Sequence, residues 1–205
     1  MKIAVLVSGR GSNLKALIEQ QTQNDYEIAL VISNKANAGG LRIAEQHKIL
    51  THYIDWSDGN AAEKKAACLL AQTDIELVVL AGFMKILSPS FIETINTPII
   101  NIHPSLLPAY PGLNTHQRVL NAGDTRHGAS VHVVNDQLDA GCLIAQTIVE
   151  VYSDDNVDTL SQRVLQKEHK LLAHVVGLLA TGVLTCTQSQ VLLNQQPLTQ
   201  PLLIT

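Results

Sequence analysis

The chain has 205 residues, 46% hydrophobic and 3% aromatic, with a net charge of −4. That size and apolar fraction suit a single domain with a full core, while the weak negative balance, with no basic stripe and no aromatic platform, argues against a nucleic-acid partner. No segment reaches the roughly 18 apolar residues that span a bilayer, so no membrane role is expected.

The N-terminal apolar run, residues 1–7, is too short for a signal peptide and enters a glycine-rich loop. Cys68, Cys142 and Cys186 give neither a complete disulfide framework nor a zinc spacing. Together these point to a reducing, cytoplasmic compartment.

Short apolar runs alternate with helical patterns. Residues 3–7 predict a strand, and 13–23 a helix with Leu14, Leu17 and Ile18 on one face. Strand 28–33, helix 40–48 with Leu41 and Ala44 inward, strand 51–54 and the alanine-rich helix 61–72 follow. Residues 77–81 form a continuous apolar strand, 90–95 a short helix behind Pro89, and 99–103 the next strand. This alternation predicts an α/β fold, a mostly parallel twisted sheet with helices on both faces in three layers.

The pattern changes after residue 104. Pro104, Pro108, Pro111 and Gly112 mark a long loop, then a helix at 116–121. Strands at 129–134 and 143–151 have no helix between them and are expected to pair as an antiparallel edge. A long amphipathic helix at 157–180 closes the core. We expect one domain over 1–205: a phosphate-binding half at about 1–100, a catalytic half at about 101–182 and a polar, peripheral tail at 183–205.

The first polar motif is Ser8-Gly9-Arg10-Gly11-Ser12-Asn13, between the first strand and the first helix. Backbone N–H groups at a helix start attract anions, and glycines allow close approach. The motif is neither G-x-G-x-x-G nor a Walker loop, and Ser33-Asn34-Lys35 rather than an acidic residue closes the second strand. A phosphate monoester therefore fits better than a dinucleotide. A tight turn with a serine cap is the plainer alternative, and Ser12 suits both cap and ligand.

Asn101 and His103 fall two apart in a strand, hence on one face. An amide and a titratable ring at the open end of a buried strand suit acyl transfer, although a strand end with two solvated polar residues gives the same pattern. Asp136 to Gly141 is a loop whose carboxylates can orient an imidazole or can merely build a turn. His132 alternates with apolar positions and reads as a half-buried strand residue. Glu168 falls on the inward stripe of the last helix, where a charge is costly unless paired. Either it faces a cleft and meets a cationic or amine-bearing group, or the stripe is narrower. Ala81 to Leu87 offers Gly82, an apolar wall and unpaired amides, which suits a flat heteroaromatic ligand or an ordinary core loop.

Four segments, Ser8 to Asn13, Leu80 to Leu87, Asn101 to Pro108 and Asp139-Ala140-Gly141, stand in this order at these separations. They closely resemble the phosphoribosylglycinamide formyltransferase (glycinamide ribonucleotide transformylase) family, over about residues 1–182. The resemblance implies a Rossmann-like formyltransferase fold. It also implies attack of the glycinamide ribonucleotide amine on the formyl carbon of 10-formyltetrahydrofolate, a co-substrate, in purine synthesis. It assigns Gly11, Ser12 and Asn13 to the ribose phosphate, Asn101, His103 and Asp139 to catalysis, and Glu168 to substrate binding. Met84, Lys85, Ile86 and Leu87, with Asn101, line the folate site. No metal is implied, and the chain is expected to act as a monomer or homodimer. The family also carries a cis peptide that corresponds to Leu107–Pro108.

The chemistry accounts for these residue types. Attack creates a tetrahedral oxyanion, to which Asn101 donates a neutral hydrogen bond and His103, expected to be protonated under the influence of Asp139, a charged one. One such donor is typically worth about 10²–10³ in rate. A water or His103 relays the proton between the nitrogens, a step worth about 10²–10⁴. One departure is visible: some relatives carry an arginine near the start of the third helix that contacts the folate tail, where this chain has Ala62. Lys64 and Lys65 are nearby, and no residue is assigned to that contact. Lys85 replaces a frequent arginine, keeping the charge and losing the fork.

Two other readings compete. One is a different folate-dependent formyltransferase or a formyltetrahydrofolate hydrolase, whose extra domain this sequence is expected to have no room for. The other is a non-catalytic nucleotide-binding module, which needs the glycine loop but not Asn101, His103 and Asp139 together.

Overall fold

Uninterrupted apolar runs become strands buried on both faces. In a computed structural model describing residues 1–205, β1 (Lys2–Val7) has every residue after Lys2 buried, and β4 (Leu77–Leu80) is buried throughout. Such runs belong in parallel sheets covered by helices. The chain divides into two compact units, Met1–Asn101 and Ile102–Thr205.

The first unit alternates strand and helix as expected: β1, α1 (Ser12–Gln20), β2 (Glu27–Ser33), α2 (Gly39–Gln46), β3 (Leu50–Tyr53), α3 (Gly59–Gln72), β4, α4 (Pro89–Ile95) and β5 (Ile99–His103). Its strands are all parallel, in the order β3-β2-β1-β4-β5. The boundary of the unit falls within β5, after Asn101. Because the strands run one way, their C-terminal ends share one rim, where ligand loops of such sheets sit. The segments after β1 and β4 leave from that rim.

Helix α1 is shorter than the periodicity predicts. It ends at Gln20 and tightens into a 3-10 turn over Gln21–Gln23, while Leu14, Leu17 and Ile18 face the core. Caps mark the later starts: the Asp58 side chain accepts from Ala61 N–H before α3, and Ser88 accepts from Phe91 N–H before α4.

The second unit holds α5 (Thr115–Ala122), β6 (Arg126–Val133), β7 (Leu143–Glu150), α6 (Val157–Ala180) and β8–β11. β6 and β7 are antiparallel, as expected. β6 starts three residues earlier than its apolar pattern suggests, since Arg126, His127 and Gly128 pair with Glu150, Val149 and Ile148. The register shifts between Val131 and His132, a bulge of the kind that re-aims side chains. A capping box of Asn156 and Thr159 opens α6. Its buried stripe, including Val164, Leu171 and Leu172, lies on β6 and β7, and each fully buried leucine contributes about 1.5–3 kcal/mol.

The segment after residue 182, read from sequence as a polar tail, carries four short strands. β8 (Leu184–Cys186), β9 (Val191–Leu193) and β10 (Gln196–Pro197) form a small antiparallel sheet. β11 (Leu202–Leu203) pairs parallel with β7. The fold is thus α/β with a mostly parallel sheet, helices on its faces and a small separate antiparallel sheet. No helix is long and apolar enough to cross a membrane.

Candidate active site

The loop after β1 is built for close backbone packing. Gly11 has φ +81°, and a Cβ there would stand 2.5 Å from Gly40 Cα, so only glycine fits. Gly40 N–H donates to the Gly9 carbonyl at 3.1 Å, which anchors the loop to the start of α2. Ser8 is buried; its hydroxyl donates to Asn34 Oδ1 at 2.6 Å and accepts from Met84 N–H at 2.8 Å. The cap of α1 is Gly11, with no side-chain bond, and Ser12 and Asn13 are its first two helical residues. The expectation that Ser12 caps the helix is therefore corrected: it lies inside the first turn, where its side chain is spared from capping.

Met84 to Leu87 follow β4. Met84 and Ile86 are 64% and 76% exposed and Lys85 is exposed, while Leu87 is buried. Two large apolar side chains facing solvent in one short segment form a wall suited to an apolar ligand. Not all amides here are open, contrary to the sequence reading, since that of Met84 is taken by Ser8. Phe83 packs edge-on against Trp56 at 5.2 Å and stiffens the segment.

The second unit carries the titratable cluster. His103 closes β5, two residues after the half-buried Asn101 and on the same face. Its Nδ1 lies 3.4 Å from Asp139 Oδ2, and its Nε2 lies 3.0 Å from the Tyr110 carbonyl oxygen. Asp139 sits in the β6–β7 loop with φ +51°. Its Oδ2 also accepts from Gly112 N–H at 2.8 Å, and its Oδ1 lies 3.6 Å from His132 Nε2. One carboxylate thus spans two histidines. His132, read from sequence as an ordinary strand residue, is fully buried and belongs to this cluster. Its only sequence signal was an imidazole alternating with apolar positions along the strand.

Burial decides the protonation of His103. Burial is the largest influence and pushes its pKa down; the Tyr110 carbonyl and Asp139 push it up, and His132 and Arg118 push it down again. The net direction is below the ordinary histidine value, opposite to the rise expected from Asp139 alone, and it favours the neutral ring. Burial pushes the Asp139 carboxyl up, but His132, the Gly112 amide and His103 together bring it below the usual carboxylate range. Each ring nitrogen of His103 nevertheless faces an oxygen. A neutral ring satisfies one of them, and a proton taken up would satisfy both.

The loop between His103 and α5 contains the cis Leu107–Pro108 bond that the resemblance implies. It is tied from β6: Leu107 N–H donates to Ser130 Oγ at 3.1 Å, and Ser130 Oγ donates to the Ser105 carbonyl at 2.7 Å. Arg118 donates to the Pro111 carbonyl at 2.6 Å and lies over the Tyr110 ring. Glu168 is buried on the α6 stripe with Val164 and Leu171, so the narrower stripe is excluded.

A family model described as formyl transferase matches residues 1–176. The chain belongs to the formyl transferase family. Among relatives of this formyl transferase, the phosphoribosylglycinamide formyltransferase of Escherichia coli is 42% identical over 203 residues, covering 97% of this chain and 96% of the relative. The human trifunctional purine biosynthetic protein adenosine-3 is 43% identical over 186 residues, 88% of this chain and 18% of that protein. A solved structure of phosphoribosylglycinamide formyltransferase from Coxiella burnetii superposes with a TM-score of 0.91 at 41% identity, over 98% of this chain and 99% of that one.

Proposed function

We infer that this formyl transferase moves the formyl group of 10-formyltetrahydrofolate to the amine of glycinamide ribonucleotide, giving formylglycinamide ribonucleotide for purine synthesis. The observation that carries the chemistry is the buried His103–Asp139 pair, with Asn101 on the same strand face. Full-length relatives named phosphoribosylglycinamide formyltransferase, at about 40% identity, support this acceptor over the alternatives considered.

Gly11, Ser12 and Asn13 hold the ribose phosphate at the start of α1. Met84, Lys85, Ile86 and Leu87 line the folate, with the exposed Met84 and Ile86 giving it an apolar face. Glu168 meets the amine-bearing end of the ribonucleotide. As the amine attacks, the formyl oxygen takes negative charge and Asn101 donates a hydrogen bond to it. His103, neutral at the outset, takes the proton that the attacking nitrogen sheds. The resulting imidazolium is stabilised by Asp139. That proton then passes to the departing folate nitrogen, the carbon–nitrogen bond breaks, and tetrahydrofolate leaves. The ring ends neutral, as it began. The reaction takes place in the cytoplasm.

A labelled formyl carbon tests the assignment. Supplied on the folate with glycinamide ribonucleotide present, the label should appear on the ribonucleotide. Release as free formate, with or without acceptor, would replace transfer with hydrolysis.

A further inference from the structure

We propose that Gln146 is a positioning residue for His103, and that the C-terminal strand β11 acts on the site through it. Ser130 and Gln146 are directly opposed across β6 and β7, so their side chains share a face. Gln146 Nε2 donates to Ser130 Oγ at 2.9 Å and to the Leu107 carbonyl at 2.8 Å. With Ser130 accepting from Leu107 N–H, both backbone polar groups of Leu107 are held from the sheet. The tethering continues along the loop. Ser105 Oγ donates to the Ala109 carbonyl at 2.7 Å, and the next carbonyl, that of Tyr110, faces His103 Nε2. A loop without regular structure takes its shape from such side-chain bonds.

Gln146 is in turn held by its own backbone. Leu202 and Leu203 of β11 lie beside Ala145 and Gln146, and Ile204 N–H donates to the Gln146 carbonyl at 2.9 Å. A displacement of Gln146 by about 1 Å takes both of its amide bonds past hydrogen-bonding range. β11 lies beyond residue 176, where the family match ends. Strand β11 is therefore a strut for the His103 loop that lies outside the residues matched by the family model.

On the formyl-transfer reading, kcat reports the coupling; the His103 ring resonances report it without any substrate. Wild type, Gln146→Leu, Ile204→Pro, the double variant and a chain ending at Gln200 are compared. Misplacement by 1 Å costs up to about 10²-fold in rate, so Gln146→Leu should lower kcat by about 10- to 100-fold. The KM for glycinamide ribonucleotide should change less than about twofold, because binding and turnover separate when only positioning is lost. Ile204→Pro and the shortened chain should each lower kcat by about three- to tenfold and shift the His103 ring resonances in the direction seen with Gln146→Leu. In the double variant, Ile204→Pro should add nothing to Gln146→Leu, the mark of two groups acting in series. Wild-type kcat and unshifted His103 resonances in the chain lacking β11 would overturn the proposal, as would independent, multiplying effects in the double variant. A wild-type chain inactive in transfer would remove the reaction assigned above and leave the resonance test standing.

Discussion

His103 Nδ1 and Asp139 Oδ2 stand 3.4 Å apart, with the two side chains only 7% and 9% exposed. At that depth the carboxylate opposes the burial that drives the imidazole toward neutrality. It sets both where the ring points and how readily the ring takes a proton.

Asp139→Asn keeps the shape and removes the charge. The His103 pKa, already below the ordinary value, should fall further, because an influence that raises it is lost. The acid limb of the kcat/KM profile, which follows the neutral fraction of His103, should move to lower pH, and turnover should fall by about 10²–10⁴. A pH–rate series on the two proteins reads both effects. An acid limb that stays in place would separate Asp139 from the titration of His103.

Acid sensitivity should come from a second histidine pair. His127 Nε2 lies 3.0 Å from His116 Nδ1, and burial, then His116, pushes the His127 pKa down to about 4. The unfolded chain binds this proton near pH 6.5 and the folded chain does not. The stabilisation is therefore full above about pH 6.5 and is lost as pH falls toward 4, by roughly 3 kcal/mol at most. Urea midpoints between pH 7.5 and 4.5 should show this slope, and His127→Gln should flatten it. Equal slopes in the two proteins would place the acid sensitivity elsewhere.

Gly11→Ala tests the cradle. The new Cβ meets Gly40 Cα at 2.5 Å in a backbone that has φ +81°, so the loop must move. We expect stability to drop by about 1–3 kcal/mol. The KM for the ribonucleotide should rise by about tenfold or more, equivalent to about 1.4 kcal/mol. Titration of the ribonucleotide against the two proteins measures this; equal affinities would mean the loop is a turn and nothing more.

Ile86→Ser separates folding from folate binding. Ile86 is 76% exposed, so its loss should change stability by less than about 0.5 kcal/mol. The folate KM should rise by roughly tenfold, the cost of one apolar contact, with the ribonucleotide KM unchanged. A rise confined to the ribonucleotide would move the folate wall off this segment.

The strands of the first unit were legible because burial on both faces leaves continuous apolar runs, as in β1 and β4, and α6 because its apolar stripe is a local signal. What lay hidden depends on partners distant in the chain. Arg126, His127 and Gly128 lie before the strand that the sequence predicts, yet pairing with β7 makes them strand. Gln196–Pro197 has no strand pattern of its own and is a strand only beside β9. In the cluster, His103 and Asp139 were legible as residue types in motifs, as was Asn101 beside His103 in the strand. The place of His132 was not, since it needs the bulge at Val131 and a carboxylate seven residues on. The lowered pKa of His103 was hidden for the same reason: burial belongs to the folded chain, while the pairing with Asp139 came from the family resemblance.

The most direct measurement follows folate absorbance as the protein converts 10-formyltetrahydrofolate, with and without glycinamide ribonucleotide, beside His103→Ala. Conversion that requires the ribonucleotide and falls by at least about 10² in the variant is the predicted result. Conversion indifferent to the ribonucleotide, or undiminished without the imidazole, would contradict formyl transfer at the His103–Asp139 pair.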